Sequence, residues 1–160
     1  MVRKVSGEAT FAGHGASHPG LMHIGALSPA GRGIMAVSRF EELIAWQRAR
    51  ELAREIYRAT NSGRIARDFS FVNQVRSAAS SVMSNIAEGF ERSNPAEFHH
   101  FLVIAKGSCA EVRSNIYLAF DASYVNDVEC RRLLALAENT GKVVGALRSA
   151  VQRSRDGAKA

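Results

Sequence analysis

The sequence predicts an all-α protein, folded as an antiparallel up-down four-helix bundle. Apolar residues recur at intervals of three and four in four segments after residue 38, the spacing of one face of an α-helix. Residues that favour the first turn of a helix precede the segments, and the connections between segments are short. Short connections make consecutive helices antiparallel neighbours, and no alternating strand pattern competes with this interpretation.

The first helix is expected over residues 39–60. Ser38 and Glu41 match a capping box, in which each side chain bonds a backbone amide at the start of the helix. The Asn-Ser-Gly run at 61–63 is typical of a helix end. The expected core stripe comprises Leu43, Trp46, Ala49, Ala53, Ile56 and Tyr57.

The second helix is expected over residues 69–91, with Asp68 as its N-cap. The third follows Asn94, with Pro95 at its first position, and is expected to reach Tyr124. Their expected core residues are Val72, Val75, Ala79, Val82, Met83, Ile86 and Phe90, and then Phe98, Phe101, Leu102, Ala105, Cys109, Val112, Ile116 and Phe120.

The fourth helix is expected after Asn126, with Glu129 completing a capping box. Gly141 and Gly145 lie four residues apart, a spacing that lets helices approach closely. The apolar positions of this helix are Leu133, Leu134, Ala137, Val144, Leu147 and Val151.

The chain divides into three parts. Residues 1–35 are rich in Gly, Pro and His and show no period, so disorder is expected there. A mis-annotated start, with translation beginning at Met35, is a second interpretation of the same segment. The bundle is expected over residues 36–153, and a flexible tail over residues 154–160.

The composition is basic. The formal net charge is +6, and Arg supplies 17 of the 21 basic residues. Such a surface suits RNA or DNA, since Arg makes bidentate phosphate contacts, but a genome rich in G and C would favour Arg in the same way. No apolar run reaches about 18 residues, and the N-terminus lacks the apolar core of a secretory signal, so we expect a cytoplasmic protein without a membrane partner.

A line of short polar side chains, here called the polar seam, runs beside the core stripe of helix two. Its members in helix two are Gln74, Ser81, Asn85 and Glu88, with Ala78 between them, and helix three continues it with Gly107, Glu111 and Asn115. Folding the hairpin about residues 92–94 would place Ala78 near Gly107. It would also place Gln74 near Glu111. We expect the seam to hold helices together through hydrogen bonds, while contact with a ligand or RNA is the alternative.

Catalytic and metal-binding interpretations have little support. Glu97 and His100 form the Glu-x-x-His pair of di-iron bundles, but those sites need a second such pair, and Glu138 has no His three residues later. Cys109 and His100 are nine residues apart on one helix, or about 13 Å along its axis, which is too far for contact. We therefore expect a non-enzymatic protein with no catalytic residue, metal or cofactor.

Five arginines are candidate nucleic-acid contacts. Three recur every fourth residue on helix one and two follow in the next loop: Arg50, Arg54, Arg58, Arg64 and Arg67. Glu51 and Glu55 lie three residues before two of these arginines. A solvated face with internal ion pairs is therefore the alternative.

Three runs resemble a known family, the small four-helix-bundle proteins of 23S ribosomal RNA intervening sequences. They are FEELIAWQRARELAREIY at 40–57, QVRSAASSVMSNIAEGFER at 74–92 and EFHHFLVIAKGSCAEV at 97–112. The resemblance implies a homopentameric ring and no established enzymatic activity. The family is also similar to the accessory proteins of diversity-generating retroelements, basic pentamers that bind reverse transcriptase and nucleic acid. Residues 1–35 have no family counterpart, and Met83 stands where the family commonly has proline.

These observations lead to one expected function and one alternative. We expect an oligomeric bundle that binds structured RNA or another nucleic acid through its arginine-rich surfaces. The alternative is a scaffold or accessory subunit that binds a partner protein without touching nucleic acid. Ile44 and Leu52 fall outside the core stripe of helix one and are candidates for contacts with another chain.

Overall fold

The computed structural model describes residues 37–158, and the expectations for residues 1–35 lie outside this range. The described part contains four α-helices and no strand, which confirms the all-α prediction. Two short 3₁₀ turns accompany the helices, at Phe40–Glu42 and Ile65–Arg67. The α-helices are α1 (Ile44–Ala59), α2 (Phe69–Glu91), α3 (Pro95–Asp121) and α4 (Asp127–Gly157).

Three helices begin where the sequence predicts, because a side chain accepts a hydrogen bond from an otherwise unpaired amide of the first turn. Asp68 Oδ1 accepts from the Phe71 amide at 3.0 Å. Asn94 Oδ1 accepts from the Ala96 amide at 2.8 Å, and Asn126 Oδ1 accepts from the Glu129 amide at 2.9 Å.

The predicted start of helix one is wrong. The Ser38 amide and hydroxyl both reach the Glu42 carboxylate, not Glu41, and the chain makes a 3₁₀ turn before α1. The buried Leu43 then takes the N-cap position with an extended backbone and no side-chain cap. Burial of this side chain, which is the larger energetic term, therefore sets the start of α1 instead of a capping box.

The helices pack in a cycle, in which α1 and α3 each contact both α2 and α4. The buried apolar residues form two clusters, and each cluster takes residues from all four helices. Ser81 on α2 and Thr140 on α4 lie at sequence positions between the two clusters, and Ser108 on α3, which lies 3.0 Å from Ser81, precedes Cys109, the last α3 residue of the second cluster.

Two assignments on α1 need correction. Leu52, expected outside the core, is fully buried in the first cluster, so it contacts this chain's own helices. Tyr57, expected in the core, is 48% exposed and lies beneath the guanidinium of Arg76. Ile44 is exposed, so of the two candidate partner contacts only Ile44 lies at the surface.

The ends of the last two helices also differ from expectation. α3 stops at Asp121, three residues before Tyr124, because Ser123 adopts a left-handed backbone conformation (φ 56°). The Tyr124 amide then bonds the Ala119 carbonyl at 2.8 Å, which closes the helix end in a Schellman motif. α4 continues through Gly157, beyond the expected boundary at residue 153. Within residues 37–158, none of the helices has a stretch long and apolar enough to cross a membrane.

Candidate nucleic-acid interface

The arginine row of α1 does not present three equivalent cations to solvent. Arg58 Nη1 lies 2.8 Å from Oε1 of Glu55, and Arg54 Nε lies 3.3 Å from the same oxygen. Arg50 instead lies over the ring of Trp46, 5.7 Å from its centroid. Two of the three arginines are thus held by one carboxylate, and only Arg50 has no carboxylate partner within residues 37–158.

Glu55 also forms an ion pair with a third arginine, which lies on another helix. Arg132 of α4 places Nη1 3.0 Å from Glu55 Oε2, while its other nitrogens bond Glu129. The Glu55 side chain is only 13% exposed. Burial opposes its ionisation, but hydrogen bonds from Arg132 and Arg54 and the charge of Arg58 outweigh burial and lower its pKa. Glu55 is therefore a charged hub between α1 and α4.

The segment between α1 and α2 presents two arginines of a different kind. Ile65 is buried and anchors the 3₁₀ turn in the core. Residues three apart eclipse in a 3₁₀ turn, so Arg64 and Arg67 project on the same side, about 6 Å apart along its axis. Both are exposed and, in the described part of the chain, neither forms an ion pair.

Charge is divided between two sides of the molecule. The adjacent helices α1 and α4 each carry a net charge of +2, whereas α2 and α3 each carry −1. The three basic residues of α2 and α3 turn toward their neighbours, because Arg76 bonds Thr60, Arg113 pairs with Glu138, and Lys106 lies against Gly145. The α1–α4 side is thus the basic side of the protein.

The polar seam forms one short hydrogen-bonded chain between α2 and α3. Asn85 donates to the Ser81 hydroxyl at 3.0 Å, and the Ser81 and Ser108 hydroxyls lie 3.0 Å apart. The Ser108 hydroxyl also lies 3.2 Å from the Ile104 carbonyl, to which it can donate. Ser108, which the sequence analysis did not assign to the seam, is its link to α3.

The other seam residues do not join this chain. Gln74, Glu88 and Glu111 are exposed, and Glu88 pairs with Arg92 at 2.7 Å. Asn115 is buried, with no partner for its side-chain nitrogen in the described residues. The structure thus brings Ser81 and Asn85 together and leaves the remaining members apart.

The predicted register of the α2–α3 hairpin is also wrong. A Cβ on Gly107 would have no neighbour within 4 Å, so Ala78 does not lie against it. The contact of Ser81 with Ser108 shifts the pairing by one helical turn. The physical reason is Gly89, which lets Phe98 and Phe101 approach the backbone of α2 so closely that they fix where α3 crosses it.

Comparison with known proteins identifies the relatives of this fold. The sequence profile described as "23S rRNA-intervening sequence protein" matches residues 41–146, about two thirds of the chain. The chain belongs to this family. No curated protein matches the chain.

A solved structure agrees with the family's fold. It is the crystal structure of a protein of unknown function from the S23 ribosomal protein family of Bacteroides thetaiotaomicron. The two chains are 18% identical, with a TM-score of 0.60 over 66% of this chain and 98% of that one. At this identity the likeness supports the shared fold alone.

Within the family match, Arg76 holds the end of α1. Its Nε lies 2.8 Å from the Thr60 hydroxyl and its Nη2 lies 3.2 Å from the Thr60 carbonyl, while its guanidinium stacks over Tyr57 at 4.6 Å. Sequence reasoning did not assign this role. A lone arginine on the apolar helix α2, 16 residues after a helix-ending threonine, was the available signal.

Replacing Arg76 with alanine is expected to lower the free energy of unfolding by about 1–3 kcal/mol, because the hydroxyl and carbonyl oxygens of the buried Thr60 lose the hydrogen bonds that Arg76 donates, while the hydroxyl keeps its bond to the Ile56 carbonyl. Chemical denaturation followed by circular dichroism measures this. Arg92→Ala is the matched control, since Arg92 also lies over an aromatic ring but, among the residues that the structure describes, bonds just the exposed carboxylate of Glu88. Equal losses for the two variants would contradict the role given to Thr60.

Nucleophilic and metal-binding groups are poorly placed in this family member. Burial raises the pKa of the Cys109 thiol to about 11 against the opposing charge of Lys106, so the reactive thiolate is scarce at neutral pH. Burial, with Arg155 and Arg148 nearby, lowers the pKa of His99. Across residues 37–158, no three His, Cys, Asp or Glu side chains are grouped so that they could hold a metal ion.

Proposed function

We propose that this chain is a non-enzymatic, cytoplasmic member of its family that assembles as a homo-oligomer and binds structured RNA or another nucleic acid. The observation that carries the proposal is the separation of charge. A basic side on α1 and α4 faces away from the acidic helices α2 and α3, and phosphate backbones are attracted to such a side.

The proposed monomer is an antiparallel up-down bundle. Contacts at both ends of the α2–α3 pair support this arrangement. Phe71, near the start of α2, lies 5.7 Å from Tyr124 beyond the end of α3. Phe90, near the end of α2, lies 6.0 Å from Phe98 near the start of α3.

Assembly into an oligomer would make the positive charge large enough to attract a nucleic acid. Residues 36–160 contain 18 basic and 14 acidic residues, so one chain contributes +4 and a pentamer would carry +20. A Debye length of about 10 Å at 0.1 M salt lets charges on neighbouring subunits act on one ligand. The outer face of α3 supports assembly, because it exposes the apolar residues Val103, Ile104, Tyr117 and Leu118.

The arginines have unequal parts in this proposal. Arg50, Arg64 and Arg67 have no carboxylate partner among residues 37–158, so they would bind phosphate without first breaking an ion pair. Arg54 and Arg58 share Glu55 and would contribute less. The leading contacts are therefore Arg50 and the two arginines of the 3₁₀ turn.

Filter binding of the full chain to a structured RNA across a salt series tests the proposal. Replacing Arg50, Arg64 and Arg67 with Gln should weaken binding and flatten the dependence of log K on log salt, by about 0.9 for each duplex phosphate that the variant no longer neutralises. The control replaces Arg39, Arg92 and Lys106 with Gln, which removes the same charge elsewhere. Equal losses in both triple variants, or no binding by the wild type at low salt, would contradict the proposed contacts.

A protein-binding scaffold is the second candidate function. The exposed apolar face of α3 favours it, since a partner helix can pack there as well as a second copy can. A scaffold predicts an oligomer in light scattering and no salt-dependent affinity for RNA.

A further inference from the structure

Phe69 is the most exposed large apolar side chain in the described part of the protein. Its exposed fraction is 74%, although it occupies the first position of α2, next to the capped and well-packed segment from Asp68 to Val72. The aromatic pair that packs at this end of α2 is formed by Phe71 and Tyr124, and Phe69 is not part of it.

The surroundings of this ring are cationic. Phe69, Arg64, Arg67, Asp68 and Tyr124 line one open depression of about 580 Å³, together with Ser70. Both arginines project from the 3₁₀ turn on the same side, as described above.

The one carboxylate in the depression is already engaged. Asp68 accepts hydrogen bonds from the Phe71 amide at 3.0 Å and from the Tyr124 hydroxyl at 2.9 Å. Both hydrogen bonds lower the pKa of Asp68, and the bond from the Phe71 amide has the larger effect. They hold the charged carboxylate at the N-terminus of α2. The carboxylate is therefore satisfied by its own chain, and the guanidinium groups stay available.

From this arrangement, and resting on the proposed function, we infer that the depression binds an unpaired nucleotide. Phe69 stacks on the base, while Arg64 and Arg67 contact the flanking phosphates. An exposed aromatic face beside two cations is the combination that recognises bases splayed out of loops and bulges, since every base has a π-face and every linkage an anion. The ligand class is thus single-stranded or looped nucleic acid, and the duplex stem is held by the other arginines.

The test compares two RNA probes with the full-length protein: a hairpin with an unpaired purine loop, and a blunt duplex with the same stem. Phe69→Ala should weaken binding of the loop RNA by about fivefold to 150-fold, the range spanned by loss of one stacked base–aromatic pair, and leave duplex binding unchanged. Phe69→Trp should retain the loop preference.

Val128→Ala is the matched control, because Val128 is also exposed (70%) in the first turn of a long helix but has no place in the depression. It should change neither affinity. If Phe69→Ala leaves loop binding intact, or weakens both probes equally, the inference is overturned while the proposed function stands. If the wild type binds neither probe, the proposed function fails too, and if Phe69→Ala changes the oligomer mass in light scattering, the ring is a subunit contact instead.

Discussion

Alanine at Gly89 is expected to destabilise the protein, whereas alanine at Gly107 is expected to stabilise it. A Cβ on Gly89 would lie 2.6 Å from Cβ of Phe101 and 3.0 Å from a ring carbon of Phe98. The nearer atom joins the backbone directly, so it cannot rotate away and α3 must shift. Overpacking of this kind costs about 1–3 kcal/mol.

Gly107 makes the comparison sharp, because it also lies inside a long helix but has nothing within 4 Å of its added Cβ. Both substitutions gain about 1 kcal/mol of helix propensity, so the difference between the two variants isolates the packing cost. Thermal unfolding of both variants measures it. Equal midpoints would show that α2 and α3 have no fixed crossing at Gly89.

The substitution Glu55→Gln is expected to strengthen nucleic-acid binding while weakening the fold. It removes the carboxylate that holds Arg54 and Arg58, so these two guanidinium groups become ready for phosphate, while Arg132 stays paired with Glu129. Each additional duplex phosphate that the variant neutralises should steepen the slope of log K against log salt by about 0.9. Filter binding over a salt series gives this slope.

Glu51→Gln is the control for net charge, because within residues 37–158 Glu51 pairs with Arg48 alone. It changes the charge of the chain by the same amount but releases one arginine. If both variants steepen the slope equally, net charge rather than the α1–α4 surface governs binding.

The lowered pKa of Glu55 sets the pH range of its stabilising effect. A carboxyl group whose pKa falls on folding stabilises the folded state above its unfolded pKa. That contribution disappears as the pH drops through the folded pKa. The difference in melting temperature between wild type and Glu55→Gln should therefore be largest at neutral pH and vanish in acid.

Local chemistry explains what the sequence could predict of this fold. Asp68, Asn94 and Asn126 cap helices through contacts two or three residues away, and such contacts are visible in the order of residues. The start of α1 was misplaced because burial of Leu43, a property of the whole fold, outweighs the Ser38 capping signal.

The misplaced seam and arginine row have a similar cause. The α2–α3 register depends on how close Phe101 can come to Gly89, which no spacing rule contains. Glu55 also binds Arg132, which is 77 residues away in sequence, so the pairing of this carboxylate depends on the tertiary fold. Sequence reasoning proposed five arginines as candidate contacts, but it could not tell that Arg54 and Arg58 are engaged by Glu55 and that Phe69 is exposed.

The division of the core near the Ser81–Ser108 pair and Thr140 affects how the protein opens. Because each apolar cluster takes side chains from all four helices, releasing a single helix would disrupt both clusters at once. A less costly fluctuation opens one apolar cluster, by fraying the same end of all four helices together. It stops near the hydroxyl groups of Ser81, Ser108 and Thr140, where one cluster gives way to the other. Amide hydrogen exchange should then fall into two cooperative units that divide the molecule across its helices rather than between them.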